Sequence, residues 1–248
     1  MAQLELRGLA VQFGGVRAVD GLDLTLQDGE LRCLIGPNGA GKSTTLDLIC
    51  GKTAPTGGEI LFDGRNITGL PEFRRARAGI GRKFQTPSVF RELTVIENLE
   101  IARSARPGVF SSLTVFRSRY PGRMQEVVEL VELAEELHTR AGNLSHGQMQ
   151  WLEIAMLLMQ DARLILMDEP TAGMTIQETR KTGEIFASLR GSHTMIVVEH
   201  DMNFVRQIAG TVTVMDQGAL LAEGSIQEVE RDPAVRAAYL GDGGNGHA

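Results

Sequence analysis

The sequence predicts an α/β fold: a parallel sheet covered by helices, with an antiparallel β subdomain near the N-terminus and an inserted helical subdomain. Three observations predict it. A short apolar run at Leu31–Ile35 passes through a glycine-rich turn into a helix-like run at 45–50, a strand–loop–helix unit. Beyond residue 164, apolar strand-like runs alternate with helical segments, the pattern of a parallel sheet. Between 94 and 159 helical spacing dominates and interrupts that alternation.

The elements follow in order. Leu4, Leu6 and Leu9, then Val11 and Phe13, open a strand-like segment. Leu22, Leu24 and Leu26 alternate with polar neighbours, the mark of a half-buried strand. Asp28-Gly29 is a hairpin signal into Leu31–Ile35, which places that strand among antiparallel neighbours. Residues 55–58 read as a loop, and Ile60 to Phe62 with Asp63-Gly64 as another short hairpin. Pro71 suits the first turn of a helix to about Ala78. A strand from Gly79 to Phe84 ends at Gln85. Thr94-x-x-Glu97 is a capping box opening a helix to about Arg103.

Residues 106–122 have no periodicity and read as an irregular insertion. Met124, Val127, Val128, Val131, Ala134 and Leu137 recur at helical spacing, giving a helix to about His138. Ser145-x-x-Gln148 precedes a helix-like run from Met149 to Met159 and, by itself, is another capping box. Leu164 to Met167 is a fully apolar strand ending in Asp168-Glu169-Pro170. Thr175-x-x-Glu178 caps a helix to about Arg190, and an apolar strand at 194–198 ends in Glu199-His200-Asp201. A helix at 202–208, strands at 211–215 and 219–223 around Gln217-Gly218, and a helical region from Ser225 to Leu240 complete the fold. Residues 1–240 are expected to form one domain with the helical subdomain at about 86–160, and the glycine-rich end, 241–248, to be disordered.

The glycine turn carries the chemistry. Gly36-Pro37-Asn38-Gly39-Ala40-Gly41-Lys42-Ser43-Thr44 has the spacing G-x-x-x-x-G-K-[ST] of a phosphate-binding P-loop. A triphosphate needs many N–H donors at close range, and glycine lets the backbone bend around it. The following helix adds unpaired N–H groups and a favourable dipole. Lys42 would reach the β- and γ-phosphates, and the Ser43 hydroxyl would bind Mg²⁺. Asp168, at the end of an apolar strand, can hold Mg²⁺ through water, and Glu169 can accept a proton from attacking water. Both sit where open α/β sheets bind ligands. His200 ends its strand in the same way and could position the water. Gln85, also at a strand end, could complete the Mg²⁺ shell.

Composition narrows the setting. A formal charge of −6 over 248 residues argues against binding nucleic acid by bulk electrostatics. Cys33 and Cys50 read as small buried hydrophobes, consistent with a reducing compartment. No apolar run approaches the ~18 residues of a membrane span. The protein is therefore expected in the cytoplasm, held at any membrane by other chains.

Gly36–Thr44, Gln85, Leu144–Gln148, Leu164–Glu169 and His200, in that order, resemble the Walker A, Q-loop, signature, Walker B and switch-histidine motifs of ABC transporter ATPase subunits. The resemblance covers about 4–240. It implies a P-loop NTPase core of the ABC ATPase type, ATP hydrolysis with Mg²⁺, and a head-to-tail dimer sandwiching two ATP molecules. Ser145, Gly147 and Gln148 would then contact the γ-phosphate bound by the opposite subunit. Phe13 sits where the family usually places a tyrosine against adenine. His146 replaces a signature glycine, and Thr171-Ala172-Gly173-Met174 departs from the common D-loop Ser-Ala-Leu-Asp.

Within the family the chain is most similar to the branched-chain amino acid, amide and urea group. Residues 81–85 with 89–95, 144–148 with 151–160, and 198–202 with 221–224 most resemble the UrtD-type urea-transporter subunits, which implies import of urea or short amides, with branched-chain amino acids as the alternative. The resemblance implies two permease subunits, a second similar ATPase or another copy of this chain, an external solute-binding protein, and a peripheral place on the cytoplasmic face of the membrane. The permease contact would include about 86–94. Arg103, Arg106, Arg117, Arg119 and Arg123 form a solvated basic face or a site for acidic headgroups. A non-transport ABC ATPase is the rival class. Its repair-type members need sustained heptads, and its translation-type members usually carry two P-loops; this chain has neither.

Overall fold

The computed structural model describes residues 2–83, 89–104 and 122–241. At the N-terminus, β1 (Ala2–Phe13) pairs antiparallel with β2 (Val16–Gln27). On its other side β1 pairs with β4 (Gly57–Phe62), and β5 (Arg65–Asn66) forms the edge. Leu4 and Leu6, and Leu22, Leu24 and Leu26, are buried as period-two alternation requires, and an irregularity at Gly8, φ 55°, returns Leu9 to the buried face. Asp63 and Gly64 both take positive φ, the geometry of a tight hairpin turn.

The strand before the glycine loop, β3 (Leu31–Ile35), does not join this sheet, contrary to the sequence expectation. The second sheet also contains β6 (Ile80–Lys83), β7 (Leu164–Asp168), β8 (Thr194–Val198), β9 (Thr211–Asp216) and β10 (Ala219–Gly224). Its order is β10-β9-β3-β8-β7-β6, with β10 antiparallel and the other five parallel. All five residues of β3 are buried, and a strand covered on both faces belongs inside a parallel sheet. Asp28-Gly29 marks a change of direction, not a hairpin. The Gly29 N–H donates to Thr194 Oγ1 at 2.9 Å, and its carbonyl accepts from Gly191 N–H at 2.9 Å.

Alternate residues of the parallel strands feed two cores. Leu34, Leu164, Leu166, Ile196 and Val198 meet the N-terminal leucines and α1 (Lys42–Cys50), which is thereby held between the two sheets. Cys33, Ile35, Ile165, Met167 and Val197 meet α3 (Val95–Ser104), α4 (Gly122–Leu130), α5 (His146–Met159), α6 (Ile176–Leu189) and α7 (Met202–Ile208) on the other side. Both cysteines are free and buried, and burial pushes the Cys33 thiol up to about 12. The last helices are α8 (Ile226–Arg231) and α9 (Pro233–Gly241).

α2 (Glu72–Ala78) closes the far end of α1. Arg75 is fully buried and donates to the carbonyls of Leu48 (2.6 Å), Ile49 (3.0 Å), Leu70 (2.9 Å) and Thr68 (2.7 Å). A cation at a helix C-terminus complements the dipole whose other end faces the glycine loop.

α4 stops at Leu130, short of the helix expected to His138. Glu132 takes a left-handed φ of 53°, and the Leu133 N–H reaches back to the Val128 carbonyl at 2.9 Å. Val131 and Leu133 stay fully buried, so the apolar spacing persists through a turn that is no longer helical. Of the expected irregular insertion, only Gly122 is described, and it begins α4. Gly241 ends α9, and 242–248 lie outside the described residues. Among the described residues no helix is long and apolar enough to cross a membrane.

Candidate active site

The loop from Gly36 to Gly41 wraps the N-terminus of α1. Gly36 is buried at φ 149°, and a Cβ there would lie 2.1 Å from the Met215 carbonyl oxygen. Gly41, at φ 96°, would bring a Cβ to 2.3 Å from the Ala18 carbonyl oxygen. No side chain caps α1, so the first-turn N–H groups of Lys42, Ser43 and Thr44 are left to a ligand. Ala18, Asn38, Gly39, Ala40, Gly41, Lys42, Ser43, Thr44, Glu169 and Val198 line an open groove of about 310 Å³. Lys42 Nζ donates to the carbonyls of Gly36 and Pro37, both at 2.8 Å, which stretches it along the loop. Burial holds the Lys42 ammonium below its ordinary pKa, while Glu169 and Asp168 push the other way.

β7 delivers the acids. Asp168 is 4 % exposed, and burial raises its carboxyl pKa while the Ser43 hydroxyl and the Arg82 guanidinium pull it down. Arg82 Nη2 lies 3.7 Å from Asp168 Oδ2 and also pairs with Asp47 on α1. Ser43 and Asp168 are thus neighbours. These hard oxygen donors suit Mg²⁺, which takes one or two protein ligands and completes its shell with phosphate oxygens and water. Among the described residues no cluster of three or more His, Cys, Asp and Glu could hold a metal without such outside ligands.

Glu169 follows Asp168 at φ 47°, a conformation disfavoured for a side-chain-bearing residue, held by its N–H to the Val198 carbonyl at 2.9 Å. Glu169 lines the groove. His200 Nδ1 stands 3.4 Å from Glu169 Oε1. The structure therefore brings Lys42, Ser43, Asp168, Glu169 and His200 to one end of the sheet.

The remaining expected residues fall elsewhere. Gln85 lies outside the described residues. Phe13 is exposed at the β1–β2 turn and is not among the residues lining the groove. Ser145 caps α5: the Gln148 N–H donates to Ser145 Oγ at 3.1 Å, and the Ser145 N–H donates to Gln148 Oε1 at 2.9 Å. Reciprocal pairs of this kind at Thr94, Thr175 and Ser225 use a glutamate, Glu97, Glu178 or Glu228. At α5 the box partner is the neutral Gln148, and the anion at this helix start is instead Glu178 of α6, which accepts from Ser145 Oγ at 2.9 Å.

Two residue roles were not visible in the sequence. Glu199, 1 % exposed, accepts from Thr171 Oγ1 (2.6 Å), Thr171 N–H (3.3 Å) and His200 N–H (3.1 Å), tying residues 171–174 to the histidine. A carboxylate beside a strand-end histidine was the available signal. His146 Nε2 meets the Ala172 carbonyl at 3.0 Å, so the two departures from the family pattern touch each other.

The chain is similar to known proteins. A family model described as ABC transporter matches residues 19–172. A second, described as branched-chain amino acid ATP-binding cassette transporter, matches 219–245. The high-affinity branched-chain amino acid transport ATP-binding protein BraF of Pseudomonas aeruginosa is 38% identical over 252 residues, covering 96% of this chain and 98% of BraF. The crystal structure of MJ1267, an ATP-binding cassette of an ABC transporter, in its ADP conformation superposes with a TM-score of 0.84 at 30% identity, over 97% of this chain and 99% of that one. The dimeric post-hydrolysis structure of the cassette MJ0796 with ADP and Pi superposes at 0.72 and 25% identity, over 90% and 98%.

Proposed function

This chain belongs to the ABC transporter ATPase family, and from that premise we propose that it powers import of branched-chain amino acids. It is an ATP-hydrolysing, nucleotide-binding subunit of a transporter. The observation that carries the substrate class is the match of residues 219–245 to the branched-chain amino acid type, beside relatives named for the same cargo. The UrtD-type urea reading rests on likeness in three stretches alone, and these relatives favour the alternative.

The residues take the following roles in this reading. Gly36–Thr44 holds the phosphates through backbone N–H groups, and Lys42 leaves the loop carbonyls for the β- and γ-phosphates. Ser43 and Asp168 would hold Mg²⁺, with Gln85 as a further ligand, and the ion would neutralise phosphate charge. Glu169 accepts the proton of the attacking water, and His200 orients that water against the γ-phosphate. Phe13 stacks on the adenine. Ser145, Gly147 and Gln148 of a second subunit close over the γ-phosphate, so residues 1–240 act as one ATPase domain within a head-to-tail pair. ATP drives closure by binding the closed pair more tightly than the open one. The partners are a second copy or a similar ATPase, two permeases docking near 86–94, and an external solute-binding protein. The chain then sits peripherally at the cytoplasmic face, without nucleic acid.

The test is purification of the tagged chain from native membranes. Recovery of two multi-span permeases, whose solute-binding protein takes leucine rather than urea, supports the reading. A urea-binding partner would reverse the cargo, and recovery with DNA-repair or ribosomal factors would remove transport altogether.

A further inference from the structure

Glu178 holds the groups that the proposed reading assigns to a partner's phosphate. Its Oε1 accepts from Ser145 Oγ at 2.9 Å and from the Gly147 N–H at 3.2 Å. Its Oε2 accepts from the Thr175 N–H at 2.9 Å and the Thr175 hydroxyl at 3.0 Å. One carboxylate therefore bridges the starts of α5 and α6. The fit is close enough that a Cβ on Gly147 would lie 2.4 Å from Glu178 Oε1. Hydrogen bonds to a carboxylate are of the same charge-assisted kind as those to a phosphate oxygen, so the two anions compete for the same donors.

We propose that Glu178 is a positioning residue of the trans phosphate site: it keeps Ser145 and Gly147 occupied until the partner's γ-phosphate displaces it. Resting on the sandwich reading above, this makes Glu178 the residue that sets how much ATP is needed for pairing. Displacement requires only that Oε1 swing away, because Oε2 keeps its bonds to Thr175. α6 then stays capped while α5 changes partners.

Glu178→Gln separates these duties. A glutamine satisfies the Thr175 box as well as a glutamate does. Its amide NH₂, placed where Oε1 now lies, cannot accept from Ser145 or Gly147. The measurement is light scattering of the Glu169→Gln chain against ATP concentration, with and without Glu178→Gln. The ATP needed for half-maximal pairing is expected to fall at least about tenfold, the equilibrium equivalent of one of the two charge-assisted hydrogen bonds lost. ATP affinity of the dilute monomer and its melting temperature in the absence of nucleotide, to within about 4 °C, should hold. Glu178→Asp keeps the charge but shortens its reach, and should shift the midpoint in the same direction by less. An unchanged or raised midpoint in Glu178→Gln would overturn the proposal while leaving the sandwich intact. Failure of the Glu169→Gln chain itself to pair would overturn the sandwich reading and the role of Glu178 with it.

Discussion

The N-termini of α1 and α5, both assigned to phosphate in the proposed reading, are finished in opposite ways. α1 begins at a glycine with no capping side chain, its first-turn N–H groups open to a groove. α5 begins at a serine in a closed capping box, with a glutamate from α6 already on its donors. The first end is held between two sheets with Arg75 closing its other terminus. The second stands at the margin of the helical layer. A site that binds nucleotide within one chain can be preformed; one that waits for another chain must satisfy its polar groups meanwhile.

Substitutions at the open end break the comparison hardest. Gly36→Ala places a methyl against the Met215 carbonyl and should weaken ATP binding by more than about a hundredfold, roughly 3 kcal/mol, read by titration with a fluorescent ATP analogue. Asp168→Asn should reduce Mg²⁺-dependent hydrolysis by a comparable factor, about a hundredfold. It should also stabilise the fold. Burial raises the folded-state pKa of Asp168 above its unfolded value, so the cost of ionising it is absent below the unfolded pKa and complete above the folded one. The asparagine variant should melt higher at pH 7, an advantage that disappears as the pH falls below about 4. Scanning calorimetry across pH reads it.

Effects away from the phosphate are smaller and fall on stability. Arg75→Met leaves carbonyls unpaired at the closed end of α1 and should cost about 2–4 kcal/mol, measured by urea unfolding. His146→Gly removes the contact with the Ala172 carbonyl at α5. It should change the ATP concentration for half-maximal hydrolysis about two- to threefold, without loss of binding to the monomer.

The open end was legible in the sequence because its chemistry needs glycines at set spacing, as Gly36, Gly39 and Gly41 stand before Lys42. Asp168, Glu169 and His200 were legible because each ends an apolar run. The sheet that holds β3 was not, because Asp28-Gly29 signals a reversal and says nothing of the partner; that depends on contacts with Thr194 and Gly191, over 160 residues away. Glu178 was read only as the cap of α6. A capping box uses one carboxylate oxygen, and where the second oxygen reaches is decided by how α5 and α6 pack. Glu199 was passed over for the same reason, since its partner Thr171 comes from another strand's end.

The central claim is that one catalytic site is assembled from the α1 end of one subunit and the α5 end of another. Mixing two inactive chains tests it most directly. Lys42→Ala disables the first end, and Ser145→Asp can still cap α5 while placing a negative charge, added to that of Glu178, where phosphate must sit. A mixed pair contains one doubly damaged site and one intact site. Hydrolysis should return on mixing, to roughly a quarter of the parent rate at equal concentrations if pairing is random and sites act independently. No recovery, with mixed pairs shown to form, would contradict a site shared between subunits.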